Sequence, residues 1–178
     1  NVVNGALAWL RDRDPSKPYF LYVHLVDPHA PYAAPGRYRD IYSGPGRSSR
    51  IDPPSTASLL RSFLVGLFRP RRADLRRLKD LYDAEVTYID DHVGRLVRAL
   101  DRDGPEGGTL VFLTADHGEE FLEHGHLGHG QSLHDEIVRV PLIVGRTGVP
   151  RSGRSRSIRD VSLVDVLPTV CQQLGLDC

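Results

Sequence analysis

The chain contains no methionine, one tryptophan and only two cysteines in 178 residues. Cys171 and Cys178 are too few for a disulfide framework, and neither has a partner at metal-ligand spacing. No apolar run approaches the ~18–20 residues of a membrane-spanning helix, so no membrane segment is read here. Neither sign of charge dominates: 23 Lys and Arg stand against 23 Asp and Glu, a formal net charge of +0. That balance excludes a general nucleic-acid footprint, and Arg69–Arg72 and Arg151–Arg156 are local basic clusters only. No charged-then-apolar leader follows Asn1. A start at Asn1 with no methionine anywhere predicts an excised piece of a longer protein. What is present suits one domain. Hydrophobic residues make up 40% of the chain, and a chain of this size buries roughly 70% of its unfolded surface.

Apolar periodicity predicts a short helix over Val2–Arg11, with Val3, Ala6, Leu7 and Leu10 on one face. The nearly unbroken apolar run Pro18–Val26 predicts a strand buried on both faces. Ala33–Pro54 is dense in Gly, Pro, Ser and Arg and predicts a long irregular loop. A second helix is expected near Ser55–Leu67. The strongest periodic signal is Leu75, Leu78, Tyr82, Val86, Ile89, Val93, Leu96 and Leu100, one face of a long helix that Gly104-Pro105 ends. Thr109–Ala115 predicts another buried strand. Ile137–Val144 is a third candidate, with Pro141 marking an edge or a bulge. Ser152–Arg159 reads as a basic loop. Ser162–Leu174 reads as a helix stopped by Gly175, with Pro168 as its weak point. Strands separated by long helices imply an α/β fold, a mainly parallel sheet flanked by helices. Ligands of such sheets gather beyond the carboxyl ends of the strands.

Two of the three expected strands run into Asp/His clusters. Asp116 and His117 are ligand types for Zn²⁺, Mn²⁺ or Mg²⁺, and Gly118 permits the turn that would aim both at one ion. A solvated strand end is the alternative reading of so short a pair. Glu123–Gly130 holds three histidines and three glycines in eight residues, either a ligand-binding loop or a surface loop with incidental histidines. His29, between Pro28 and Pro31, sits on a stiff turn suited to holding a ring toward a reacting atom, or simply caps the strand. His24 is expected in the core or behind the site. His92 and His134 have nothing around them to distinguish them from helix-surface residues. Asp80, Asp83, Asp90 and Asp91, interleaved with basic residues, read as a solvated helix face.

Four segments in order, Pro18–Tyr32, Tyr82–Leu100, Thr109–Pro141 and Val161–Thr169, resemble the sulfatase family of the alkaline-phosphatase superfamily. The resemblance spans nearly the whole chain apart from Ala33–Phe68. It implies an alkaline-phosphatase-like fold, present over residues 1–178 as a single partial domain, the C-terminal part of the catalytic domain. The activity implied is metal-dependent hydrolysis of a sulfuric ester. A phosphoric or phosphonic ester hydrolase or lipid-headgroup phosphotransferase of the same superfamily is the nearest alternative. A non-catalytic binding module is the alternative of another class. Residue by residue, Asp116 and His117 match metal ligands, whereas His29 and His129 match residues that contact the sulfate or phosphate group, His29 also meeting the leaving oxygen.

Many sulfatases have Asp-Asn at the metal pair and bind Ca²⁺. A nitrogen ligand at His117 leans away from Ca²⁺ toward Mn²⁺ or Zn²⁺, with Mg²⁺ also open. The family's formylglycine nucleophile, made within a Cys/Ser-x-Pro-x-Arg motif, is expected upstream of this chain. Ser43-Gly44-Pro45-Gly46-Arg47 fits that pattern formally. It lies downstream of His29 with no metal-binding aspartates before it, and is read as a chance match. The expected partners are therefore a sulfate or phosphate ester and the missing N-terminal part of the same protein, which leaves this chain alone inactive. An exported or periplasmic location is what family membership would suggest.

Overall fold

The periodic stripe between residues 75 and 100 forms the longest element of the protein. The computed structural model describes residues 2–42, 44, 50–51, 53–148, 153, 156–157 and 159–177. The expectations for Ser43–Arg47 and Ser152–Arg159 fall largely outside them. Helix α1 is Val2–Asp12, α2 Gly36–Tyr42, α3 Thr56–Leu64 and α4 Arg72–Asp103. Strand β1 is Thr109–Thr114, β2 Glu120–Phe121 and β3 Leu127–Gly128. The chain continues through α5 (Asp135–Val138), β4 (Leu142–Thr147) and α6 (Val166–Leu174). Among the described residues no helix is long and apolar enough to cross a membrane.

Leu78, Leu81 and Ala84 give α4 its buried side, while Val86 is 44% exposed. The core side of the helix is thus rotated slightly from the predicted stripe. Leu78 and Leu81 meet Tyr32, Leu60, Phe68, Phe121 and Leu127 in the main core. A second cluster forms where α2 packs on α4, around Ala34, Tyr38 and Ala84. Here the expectation of an irregular loop over Ala33–Pro54 is corrected. Tyr38 is buried and its hydroxyl donates to Asp91 Oδ2 at 2.7 Å, so the exposed Asp91 also takes part in a helix–helix contact. In α6, Pro168 lies in the first turn, where backbone N–H groups have no intrahelical acceptor to lose. Gly175 ends that helix with φ 66°.

Among the described residues the strands pair in two small antiparallel sheets, and no parallel pairing is formed. β1 pairs antiparallel with β4, from Thr109 opposite Thr147 to Thr114 opposite Leu142, and β2 pairs antiparallel with β3. A parallel return needs a crossover, usually a helix. Between β1 and β4 lie only the β2–β3 hairpin and the four-residue α5, and the chain comes back antiparallel. The third strand candidate is likewise split: α5 takes Ile137 and Val138, and β4 begins immediately after Pro141. Pro18–Val26 carries no strand ladder among the described residues. Its burial alternates, with Phe20 79% and Tyr22 76% exposed, so one face is open rather than both being buried. Tyr19 ties this segment to the start of β1 through a 2.7 Å hydrogen bond with Thr109 Oγ1.

Asp74 is wholly buried at the start of α4. Its Oδ2 accepts the Arg71 backbone N–H at 3.0 Å and lies 3.3 Å from Arg50 Nη2. Burial alone would raise its pKa, but the Arg71 hydrogen bonds and the Arg50 and Arg71 charges outweigh it and hold the carboxyl below its usual value. A carboxyl depressed in the folded state adds stability above its unfolded pKa, roughly 3.9, and loses it as pH falls through the folded value. Asp74→Ala is therefore expected to destabilise the protein by about 1–2 kcal/mol at neutral pH. The difference from the parent should narrow below roughly pH 4 in urea titrations, because the parent's carboxyl protonates there.

Candidate active site

β1 delivers the chain to the rim of its sheet, and the next turn presents Asp116 and His117. The His117 Nδ1 atom is 2.8 Å from Gly118 O. A carbonyl only accepts, so Nδ1 carries the proton and Nε2 keeps its lone pair. That Nε2 lies 3.9 Å from Asp116 Oδ2. The Asp116 side chain is 83% exposed. Gly118 serves here for a reason other than the predicted turn freedom. Its N–H donates to Ile137 O at 2.8 Å, and a Cβ on it would stand 2.0 Å from Glu136 O. Only a residue without a side chain allows α5 this close. Gly118→Ala is expected to push α5 from the 116–119 turn and destabilise the fold by about 1–3 kcal/mol, read from the urea midpoint.

The β2–β3 hairpin then turns the chain back, closed by Leu122 N–H donating to His126 O at 2.8 Å. This return stacks the His129 ring on His117, with centroids 4.2 Å apart. His29 meets His129 edge-on, with centroids 5.0 Å apart. The Nδ1 of His29 is 2.7 Å from Ala30 O, which again fixes the proton on Nδ1 and leaves Nε2 available. His129 Nδ1 is 2.9 Å from Glu119 Oε1. Glu119 is nearly buried, and its other oxygen accepts from Tyr32 OH at 2.7 Å. Burial, then the Glu119 charge, pushes the Tyr32 hydroxyl well above its ordinary pKa, so it stays a donor.

The structure thus brings His29, His117 and His129 into one row, with Asp116 at its end. Each of the three imidazoles is held through Nδ1, which leaves Nε2 for a ligand. Sequence reasoning gave Glu119 and Tyr32 no part in this, although both orient His129. His24 is exposed against Tyr22 rather than in the core or behind the site. His29 also borders an open cleft of about 420 Å³ lined by Asp27, Pro31, Glu85 and Tyr88 among others. Burial, together with the Asp27 charge, raises the Glu85 carboxyl above its ordinary pKa, against backbone hydrogen bonds from Ala33 and Ala34.

The family resemblance implies a divalent metal, and the donor set fits one. Two ligand atoms each roughly 2.1 Å from an ion lie at most about 4.2 Å apart, which the 3.9 Å between Asp116 Oδ2 and His117 Nε2 satisfies. A carboxylate beside an unprotonated imidazole nitrogen suits Zn²⁺ or Mn²⁺.

Comparison with known proteins gives the family of the chain. The chain is 28% identical over 189 residues to the multifunctional alkaline phosphatase superfamily protein PehA of Trinickia caryophylli, covering 96% of this chain and 36% of that protein. It is 29% identical over 178 residues to an arylsulfatase of Clostridium perfringens, covering 95% of this chain and 36% of the relative. The chain thus spans about a third of these relatives' length. Its fold matches the crystal structure of the putative sulfatase yidJ of Bacteroides fragilis with a TM-score of 0.73 and 23% identity, over 97% of this chain and 36% of that one. The family model described as Sulfatase matches residues 1–176, and the chain belongs to the sulfatase family.

Proposed function

We propose that this chain supplies part of the active site of a metal-dependent sulfuric ester hydrolase. The observation that carries the reading is the row of three imidazoles, each fixed through Nδ1 and offering Nε2, beside the Asp116 carboxylate. Asp116 and His117 would hold the cation. When bound, it supplies Lewis-acid charge for the ester's oxygens. His129 binds an oxygen of the ester group, with Glu119 fixing its ring through Nδ1. His29, as imidazolium, gives its Nε2 proton to the leaving oxygen as the ester bond breaks and the bond from the nucleophile to sulfur forms. The nucleophile is expected outside this chain, and the chain alone is expected to show no steady turnover.

A phosphoric or phosphonic ester hydrolase or a lipid-headgroup phosphotransferase is the second reading, favoured by a nitrogen ligand at His117 where many calcium sulfatases have Asn. A binding module that kept these residues without the chemistry is the third. Assays of the protein containing this chain on p-nitrophenyl sulfate and on p-nitrophenyl phenylphosphonate separate the three. The sulfatase reading expects the sulfate ester to have the higher kcat/KM. Preference for the phosphonate supports the second reading. Sulfate binding without hydrolysis of either ester leaves only the module. Steady sulfate-ester hydrolysis by this chain alone would overturn the placement of the nucleophile elsewhere.

A further inference from the structure

We propose that Glu120, His124 and His134 form a Zn²⁺ site, with Glu136 as a fourth ligand. None of these residues belongs to the row ending at Asp116, and the proposal does not rest on the hydrolase reading. Their ligand atoms converge: one from each of Glu120, His124 and His134 lies within 4.8 Å of the others. His124 Nδ1 is 3.7 Å from Glu120 Oε1 and 3.3 Å from Glu136 Oε2. The His134 ring stacks on His124 with centroids 3.8 Å apart. Sequence reasoning saw nothing around His134 because its neighbours come from the hairpin, not from its own element.

The independent observation is an orphaned carboxylate. Glu120 is wholly buried on β2; its Oε2 accepts from Ser132 Oγ at 2.6 Å, but its Oε1 is sealed from water with no hydrogen-bond partner. Glu136 Oε2 is buried and without a hydrogen-bond partner too. Buried carboxylate oxygens are otherwise paired or bound to a cation. Both orphaned oxygens face His124. Two imidazoles with carboxylate oxygens are a borderline set that favours Zn²⁺ over Ca²⁺ or Mg²⁺. His134 is exposed, and the proposal requires its side chain to move so that the ligand atoms come within the roughly 4.2 Å that one ion allows.

Such an ion would tie three pieces together: β2 through Glu120, the hairpin tip through His124, and the start of α5 through His134 and Glu136. The same stretch of α5 backbone lies against Gly118, beside His117. The Zn²⁺ would therefore hold the wall behind the Asp116–Glu119 turn.

The test is a titration of the metal-stripped chain with Co²⁺, followed by its visible absorption, and then displacement by Zn²⁺. To remove the other cation ligands, it is run on a variant carrying Asp116→Asn and His117→Ala. That variant is expected to bind one equivalent with the bands of a four-coordinate site. Adding His134→Ala, an exposed position where folding should survive and far-ultraviolet circular dichroism confirms it, should weaken binding at least as much as the roughly 10–100-fold seen for loss of outer-shell partners. His124→Ala should do the same. No stoichiometric binding in the double variant would mean that the cluster shares only a proton. Affinity unchanged by both histidine replacements would place the ion elsewhere. Either result overturns the proposal.

Discussion

Replacing His129 by alanine in the protein that carries this chain is expected to lower kcat/KM for its ester by roughly 10²–10⁴-fold, the range for a lost proton-transfer or hydrogen-bonding group. The ring has two fixed neighbours, His117 at 4.2 Å and His29 at 5.0 Å, and a carboxylate on Nδ1 at 2.9 Å. Its loss removes the ring that touches both His117 and His29, and with it the proposed contact to the ester. Glu119→Gln tests the positioning role separately. The amide keeps the shape, but either its oxygen or its nitrogen can face Nδ1, so the tautomer of His129 is no longer set. A smaller fall in kcat, with KM nearly unchanged and an altered pH profile, is the expected result. A loss of stability with an unaltered pH profile would make Glu119 merely structural.

Leu78→Ala is expected to remove about 3 kcal/mol of stability, the middle of the range for a buried leucine. Leu78 is fully buried among Tyr32, Leu81, Phe121 and Leu127. Those residues cannot close the space easily, because Tyr32 is anchored through its hydroxyl to Glu119 and through its N–H to Thr56 Oγ1. For a chain of this size the change corresponds to a drop of about 6–12 °C in the thermal midpoint. Val86→Ala, on the open side of the same helix, should stay within about 0.5 kcal/mol. The consequence reaches the site: Tyr32 holds Glu119, and Glu119 holds His129. Core loosening at Leu78 should therefore also broaden the placement of the His129 ring.

Local patterns were legible and long-range ones were not. The periodicity of α4, the apolar run of β1 and the glycine stop after α6 act within a few residues, and each appears where it was expected. α2 was hidden because its composition is that of a loop; what makes it a helix is Tyr38 packing against α4, fifty residues on. The strand direction was inferred from the order of elements. That order gave no warning that β4 follows a hairpin rather than a crossover helix. In the site, His117 stood out at the end of an expected strand, His29 on its proline-flanked turn, and His129 through the family resemblance. Glu119 and Tyr32 did not, since the hydrogen bond joining them spans 87 positions. The Glu120–His124–His134 cluster depends in the same way on how α5 meets the hairpin.

The most direct measurement is anomalous diffraction at the manganese edge from crystals of the protein containing this chain, grown with MnCl₂. A peak within bonding distance of both Asp116 Oδ2 and His117 Nε2, facing the His29–His129 pair, is the predicted result. An ordered His117 ring with no peak beside it, or with Nε2 turned into a hydrogen bond within the protein, would contradict a cation-binding site at the end of β1.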